Sequence, residues 1–531
     1  MIGQIRIDRL NVFDPRVRGE DLWMFRMANN IHFMTKEQVL SRELLLSPGE
    51  PWDELKALQS ERNIRAMRIF RRADLRPVPG PDGKLDLHLT TQDSWTTNLQ
   101  FSLGTEGGEE FLSYGVSENN LFGYDKKLGF LHSKVGNRTR DELRYLDPRF
   151  LGSRFRFSPF YAKTNEGTSF GTGLLRPFFA LDTKLAVVSA WNRTIDEDIL
   201  YQRAEEITRF VHRSRVATGS YGVRLPWDRF FVQRAEMGWY SQKDNFERNE
   251  DTVGALPMDR EMSGPVIGYS WVQPRYIKES YVDRMERVED YNLGNELQLM
   301  GGHMGRNLGS DQDRWIFSAF EQQGLRLAPG RFALGQVGAS GRMAGRRSEN
   351  ALFFASLNLF WKVERGLAQT WVAHLEGSRG VRLDGENQIV LGGDTGLRGY
   401  KNNSFAGSEA ALFNLENRFF LPEEYFHLFR FGGAVFFDSG AVGDKHSPIE
   451  WKKVRSDVGA GLRVSSTRSQ TGAVVRMDLA YALNDGPGRS RWVVSIRGRQ
   501  AFHIFSSASS RVRQSPSTRL PGLEPPALGR D

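Results

Sequence analysis

From Ser94 to Phe502 the chain alternates apolar and polar residues with a period of two and shows hardly any helical spacing. Side chains on a strand point alternately to its two faces, so each segment is a ribbon with one apolar and one polar face. In the segment 457–464, Val458, Ala460, Leu462 and Val464 oppose Asp457, Gly459, Gly461 and Arg463. In 475–481, Val475, Met477, Leu479 and Tyr481 oppose Arg476, Asp478 and Ala480. A soluble sandwich pairs its apolar faces and turns its charged rows outward. A single sheet of roughly twenty strands, the number the turn signals suggest, has to curl or close to remove its edges. The pattern therefore predicts a closed antiparallel barrel with lipid outside and a polar lumen.

Composition agrees with that reading. The mean hydropathy of −0.48 looks soluble, but alternation keeps the average low in any transmembrane barrel. No run approaches the roughly 18 apolar residues of a spanning helix. The 54 glycines, 36 phenylalanines and 12% aromatic content suit a barrel with aromatic girdles. The absence of cysteine excludes disulfides, cysteine-ligated zinc and thiol catalysis. The net charge of +8 is spread along the chain with no zinc-finger spacing, aromatic RNA-binding motif or lysine-rich arm, which excludes nucleic acid as the expected partner. The opening Met1-Ile2-Gly3-Gln4 lacks the features of a leader peptide, and "IGQIRIDRLNVF" already reads as a strand, so a leader is expected to precede this numbering.

Residues 1–92 read as a separate α+β domain of order β-α-α-β-β. "TKEQVLSRELLL" carries a capping-box pattern at Thr35 and Gln38 and predicts one helix; a second starts near Pro51 with Leu55 and Leu58 inward. The segments 64–78 and 84–92 predict two strands around the turn "PGPDGK". "EDLWMFRMANNIHFM" takes no clear assignment. Residues 503–531, rich in Ser, Arg and Pro, read as a disordered tail.

Little in the chain suggests chemistry. "GTSFG" at 167–171 matches the nucleophile-elbow spacing, but Ser169 sits in an alternating segment with no helix after it. No nucleotide, metal or other cofactor is implied. The unusual stretch is "LGGDTGLRGYKNNSF", 391–405, where four glycines surround a single arginine, Arg398, followed by Gly399 and Tyr400. Two later segments place carboxylates on the lumen face: Glu416 with Asn414 and Arg418, and Asp438 with Gly432, Ala434 and Phe436, while Phe431, Val435 and Phe437 face outward. A guanidinium on a flexible loop can fold inward and bind one or both carboxylates bidentately. Equally, Arg398 can be a solvated loop residue, with the carboxylates paired to neighbours such as Arg418.

These segments carry a family resemblance. "GLRGY" resembles the arginine-glycine-aromatic motif on the in-folded sixth extracellular loop of the Omp85 superfamily (BamA/TamA and surface antigen D15 type). "FFDSG" is similar to its F-x-D-x-G strand motif, with Asp438 at the carboxylate position and Gly440 closing it. Glu416 falls where these barrels carry a glutamate on the strand after the loop, and five strands follow the loop. The resemblance implies a mainly β protein: a sixteen-stranded transmembrane antiparallel barrel over 93–502, with 195–290 forming long hairpins and loops, preceded by one periplasmic POTRA domain over 1–92. It implies the outer membrane of a Gram-negative-type bacterium, and an Arg398-Gly399-Tyr400 latch held by Glu416, Asp438 and Gly440. It also implies a seam between a first strand near 94–104 and a last near 491–502, the latter with Trp492, Ile496, Gly498 and Phe502. The expected function is assembly of outer-membrane proteins by β-augmentation at that seam, with the strand 84–92 as a second exposed edge. The alternative is a pore secreting a soluble passenger, as in two-partner secretion or patatin transporters. Expected partners are unfolded outer-membrane or secreted clients, accessory proteins through the POTRA domain, and membrane lipid.

Overall fold

In the computed structural model, residues 1–497 are described apart from 107–108, 136–137, 227–229, 286, 364–365, 470–473 and 488–489. Gly498, Phe502 and the tail 503–531 lie outside the described residues.

The N-terminal unit is a three-stranded sheet covered by three helices: β1 (Ile2–Leu10), α1 (Trp23–Ile31), α2 (Glu37–Ser41), α3 (Glu54–Ala66), β2 (Phe70–Pro79) and β3 (Leu85–Asp93). β3 lies in the middle, parallel to β1 and antiparallel to β2. The 84–92 strand is therefore not the exposed edge expected of it, because β1 occupies its second side. α1 fills the unassigned segment. α3 starts at Asp53, whose carboxylate accepts the Lys56 amide at 3.1 Å. Its buried side is Ala57, Ser60 and Ile64, while Leu55 and Leu58 are exposed, so its face is rotated from the expected one. Thr35 is not a helix cap either. Its amide and hydroxyl both bond Asp93, at 2.7 and 3.0 Å, tying the start of α2 to the end of β3. The core gathers Leu40, Ile64, Ile69, Phe70, Ala73 and Leu89 between helices and sheet.

From Thr97 onward, twenty-one strand segments among the described residues close into a ring in sequence order, the last (Trp492–Arg497) beside the first (Thr97–Glu106). The short segments Arg156–Phe157 and Phe160–Thr164 both pair with Gly167–Arg176, so they are one interrupted strand and the ring has twenty staves. Sixteen was the expectation, and the excess lies where hairpins and loops were expected. Leu185–Gln202, Glu205–Arg224, Val232–Glu247 and Arg260–Val272 are four full staves, and the first two ladder through eighteen residue pairs. Five staves follow the 382–408 loop.

The alternation sorts side chains as the sequence requires. Leu462, Met477, Leu479, Val494 and Ile496 face outward and are exposed, while Arg234, Arg418, Arg463, Glu416, Asp438 and Asp457 point inward and are buried. Ser169 is a strand residue facing the neighbouring stave, where its hydroxyl accepts the Ile195 amide at 2.8 Å and donates to the Ile195 carbonyl at 3.2 Å.

The N-terminal unit covers one rim. The Lys36 amide donates to the Gly123 carbonyl at 2.9 Å, and Arg149 pairs with Glu43. Gly19 sits so close to the His427 ring that a Cβ would lie 2.4 Å from Nε2.

Candidate functional site

Two segments cross the lumen, one at each mouth, and meet inside the wall. The far-side crossing is the connection between Ala368–Val381 and Glu409–Tyr425. It reaches Leu185–Gln202, eight neighbours away along the ring, where the Gln388 side chain accepts the Tyr201 amide at 2.9 Å and donates to its carbonyl at 3.2 Å. The Ala204 amide donates to the Asn403 carbonyl at 3.1 Å, and Arg260 pairs with Asp384 and Glu386. The connection's own hairpin, Ile389–Leu391 with Phe405–Gly407, buries Leu391, Leu397 and Tyr400 against Leu352, Leu412 and Ala482.

From that hairpin Arg398 turns back to the wall. Its Nε and Nη2 donate to the two Asp438 oxygens at 2.7 and 2.8 Å, a bidentate pair, and Nη1 donates to Glu416. The guanidinium lies over the Phe436 ring, 3.4 Å from its centroid. Asp438 also accepts Asn414 Nδ2 at 2.7 Å. All three ionic side chains are essentially inaccessible to water. The neighbours in the motif have separate roles. Gly399 presses on the wall so closely that a Cβ would fall 2.5 Å from the Asp457 Cβ. Gly440 leaves the space taken by Leu391, whose Cδ1 would be 3.1 Å from an added Cβ. Tyr400 directs its hydroxyl at the carbonyls of Ser456 and Asn484, at 3.1 and 3.2 Å, and its ring faces Gly486. Asn484 and Gly486 belong to the turn that leads into the last stave.

The crossing at the domain-facing mouth is the hairpin of Tyr276–Glu279 and Glu289–Asn292, inserted between Arg260–Val272 and Asn295–Met304. Thr370 Oγ1 donates to the Tyr281 carbonyl at 2.7 Å, and Met285 packs with Phe420 and Val474. Arg287 donates to Ser94 Oγ at 3.1 Å on the opposite side. Tyr291 packs on Phe332 and Phe360. The N-terminal unit grips the hairpin from below. Arg65 makes two bonds to Asp290, at 2.8 and 2.9 Å, Lys278 pairs with Glu61 at 2.7 Å, and Arg62 lies over the Tyr276 ring.

Glu416 joins the two crossings. One of its oxygens accepts Arg398; the other accepts Arg418 Nε at 2.7 Å, and Arg418 Nη1 donates to the Val282 carbonyl of the hairpin at 2.6 Å. The structure thus brings Arg398, Gly399, Tyr400, Glu416, Asp438 and Gly440 together, and Arg418 pairs with Glu416 alongside Arg398 rather than instead of it. Trp492 and Ile496 are elsewhere, exposed on the outer face of the last stave. Sequence reasoning missed the hairpin and its clamp by Arg65 and Lys278. No sequence signal marks these pairs, since Arg65 and Asp290 are 225 residues apart.

Residues 332–502 match the Omp85 superfamily domain. The chain is 29% identical over 130 residues to the outer membrane protein assembly factor BamA of Neisseria meningitidis serogroup B, covering 23% of this chain and 16% of that one. It is 28% identical over 159 residues to a putative outer membrane protein assembly factor of Treponema pallidum, covering 27% and 19%. The matched segments thus span less than a fifth of these curated relatives. Among solved structures, CdiB from Acinetobacter baumannii is similar at 13% identity and a TM-score of 0.46, over 93% of this chain and 73% of that one.

Proposed function

The chain belongs to the Omp85 superfamily of the outer membrane, and we propose that it inserts other proteins into that membrane by offering them a strand edge at the seam of its barrel. The observation that carries this reading is the contrast between closed mouths and a ring that closes between strands from the two ends of the sheet. Both ends of the lumen are crossed by ordered segments anchored on opposite walls. The ring itself closes where the last described strand, Trp492–Arg497, lies beside the first, Thr97–Glu106, two strands that no turn connects. Backbone hydrogen bonds are what hold a barrel shut in lipid, and at this junction the two strands can part without breaking a hairpin. Once parted, the two strand edges present unpaired N–H and C=O groups that template an incoming strand. The client's burial in lipid and its own hydrogen bonding drive the reaction.

In this reading the 382–408 crossing is a latch. Arg398 fixes it to the wall through Asp438 and Glu416, and Tyr400 ties it to the turn before the last stave, which places the loop beside the seam. The N-terminal unit acts as a periplasmic POTRA domain that receives clients or accessory proteins. Its free sheet edges are β1 and β2, and Pro77 and Pro79 deprive β2 of two amide donors, which leaves β1 as the better edge.

The test is reconstitution in liposomes with a urea-unfolded small barrel protein, scored as protease-resistant folded client. The chain has no cysteine of its own, so cysteine pairs placed across Thr97–Glu106 and Trp492–Arg497 lock the seam on oxidation alone. The expected result is faster client folding than in empty liposomes when reduced and none of that gain when oxidised. Acceleration untouched by the lock, or none at all, overturns the reading.

A further inference from the structure

α1 has one face for the protein and one with no protein partner among the described residues. On its inner side Phe25 stacks on Phe13 at 4.2 Å and joins Val12, and Ala28, Trp95 and Leu428 pack around them. On its outer side Trp23, Met27 and Ile31 recur at every fourth position and form a stripe along the nine-residue helix, widened by Met24. Trp23 is 66% exposed, Met27 52% and Ile31 61%. Leu22 before the helix and Phe33 after it extend the same apolar surface. Single exposed apolar residues are ordinary, but a contiguous stripe of six marks an interface.

We propose that this stripe lies in the phospholipid leaflet next to the N-terminal unit, so that α1 is an interfacial helix seated beside the barrel seam. Two observations choose lipid over a protein partner. First, the stripe is continuous with the surface already committed to lipid. Phe33 meets Phe122 edge to face at 5.4 Å, and Phe122 is the exposed turn residue beneath Leu99, Val116, Leu128 and Phe130, the outward row of the first three staves. Second, α1 sits against the outer side of the wall. The small cavity under it is lined by Met24, Phe25 and Ala28 together with Trp95 and Ser466. Trp95 shares the outward parity of Leu99, and Ser466 that of Leu462 and Val464. The Trp95 amide donates to the Arg468 carbonyl at 2.6 Å, which places this contact where the chain enters the first stave. Arg26 and Asn30, exposed on the helix flank, are suited to the headgroup layer. Such a helix anchors the N-terminal unit to the membrane directly below the strands that close the ring. This inference does not require the insertion mechanism proposed above, only the barrel in its membrane.

Site-directed spin labelling tests it on the full chain in phospholipid liposomes. Labels go singly at Met27→Cys and Ile31→Cys, with Arg26→Cys as the polar-flank control and Val494→Cys as the lipid-facing reference. Accessibility to oxygen and to a water-soluble nickel chelate is compared. The expected result is that positions 27 and 31 match 494, favouring oxygen, while 26 favours nickel. Nickel access at 27 and 31 equal to that at 26 overturns the proposal, and so does protection from both reagents, which means a protein covers the stripe. Trp23→Cys, one turn earlier, repeats the reading should a label at 27 disturb the helix.

Discussion

Replacing Arg398 with alanine removes the only group among the described residues that joins Asp438 to Glu416, and the two carboxylates do not suffer equally. Glu416 keeps Arg418 Nε at 2.7 Å and has Arg463 at 3.7 Å, so it remains neutralised. Asp438 keeps no cation among the described partners, only the Asn414 side-chain amide at 2.7 Å, the backbone amide of residue 398 at 3.4 Å and the neighbouring Asp457 carboxyl, in a site without water access. Removing one partner of a buried ion pair costs about 3–5 kcal/mol, chiefly through the charge left behind. Because one of the two carboxylates stays compensated, the expected loss for Arg398→Ala is at the lower end, about 3 kcal/mol. Asp438→Asn leaves Arg398 paired with Glu416 and is expected to cost about half as much, on the order of one neutral-for-charged hydrogen-bond exchange. In the double variant no uncompensated carboxylate remains, so the total is expected to fall short of the sum by about 1–2 kcal/mol, within the range of coupled neighbours. Guanidinium unfolding of the full chain in detergent micelles reads these values, and tryptic cleavage at Lys401 reports loop release independently. Losses that add to within about 0.5 kcal/mol refute the pairing as an energetic unit, and so does a single-variant loss below about 1 kcal/mol.

Other outcomes follow from separate contacts. Gly399→Ala puts a Cβ 2.5 Å from that of Asp457, so it is expected to lift the loop off the wall, to cost about 1–3 kcal/mol as overpacking does, and to speed tryptic cleavage of the loop. Arg65→Glu opposes Asp290 and joins Glu61 in repelling it; it is expected to loosen the 276–292 hairpin and raise single-channel conductance in planar bilayers, with wild-type conductance counting against the hairpin as a closure. Burial pushes the Asp93 carboxyl up to about 7 against two Thr35 hydrogen bonds that favour its charged form, while Arg9 and the neutral-leaning buried His32 lie nearby. Since the folded state then holds a proton that the unfolded chain releases near 3.8, its stabilising effect is complete below that value and is lost as pH rises toward 7. At about 1.4 kcal/mol per pH unit the loss is roughly 4 kcal/mol at most. Asp93→Asn is expected to protect the α2 amides more than wild type at pH 8 and equally at pH 4, as read by hydrogen exchange.

What was legible in the sequence was whatever a period of two encodes. Parity alone puts Asn414, Glu416, Arg418 and Asp438 in the lumen and Val435 and Phe437 outside, and the structure agrees at each. Side-chain chemistry then nominates Arg398 as a partner, but only the folded loop shows that Glu416 serves Arg398 and Arg418 together. Pairings between distant segments were not legible. A hairpin signal joins β2 to β3, yet nothing local says that β1 adds to β3 in parallel and takes its free edge. Leu55 and Leu58 looked inward because leucine usually is, whereas α3 lays its small residues Ala57 and Ser60 against its neighbours. α1 escaped notice because no side chain caps it and its apolar stripe faces away from the protein. The roughly twenty strands that the turn signals suggest agree with the ring, and it is the sixteen implied by the family resemblance that made 195–290 into hairpins and loops; the strands found there carry Asp196, Asp198 and Asp244. Those carboxylates are lumen or rim residues of long strands, paired with Arg140, His212 and Arg260.

The meeting of both crossings at Glu416 constrains how this barrel opens. The outer loop holds one oxygen through Arg398, and the inner hairpin holds the other indirectly through Arg418 and the Val282 carbonyl. The hairpin in turn is clamped by α3, through Arg65 on Asp290 and Glu61 on Lys278. Pulling α3 away strains the hairpin, which draws on Arg418 and leaves Glu416 more dependent on Arg398. A passage through the lumen needs both crossings to leave together, against this arrangement. Parting the seam needs neither to leave, because Tyr400 binds the Ser456 carbonyl and the turn before the last stave, and Arg398 binds staves that precede it. On the proposed insertion reading, a variant that opens the lumen, such as Arg65→Glu, is expected to gain conductance without gaining client insertion.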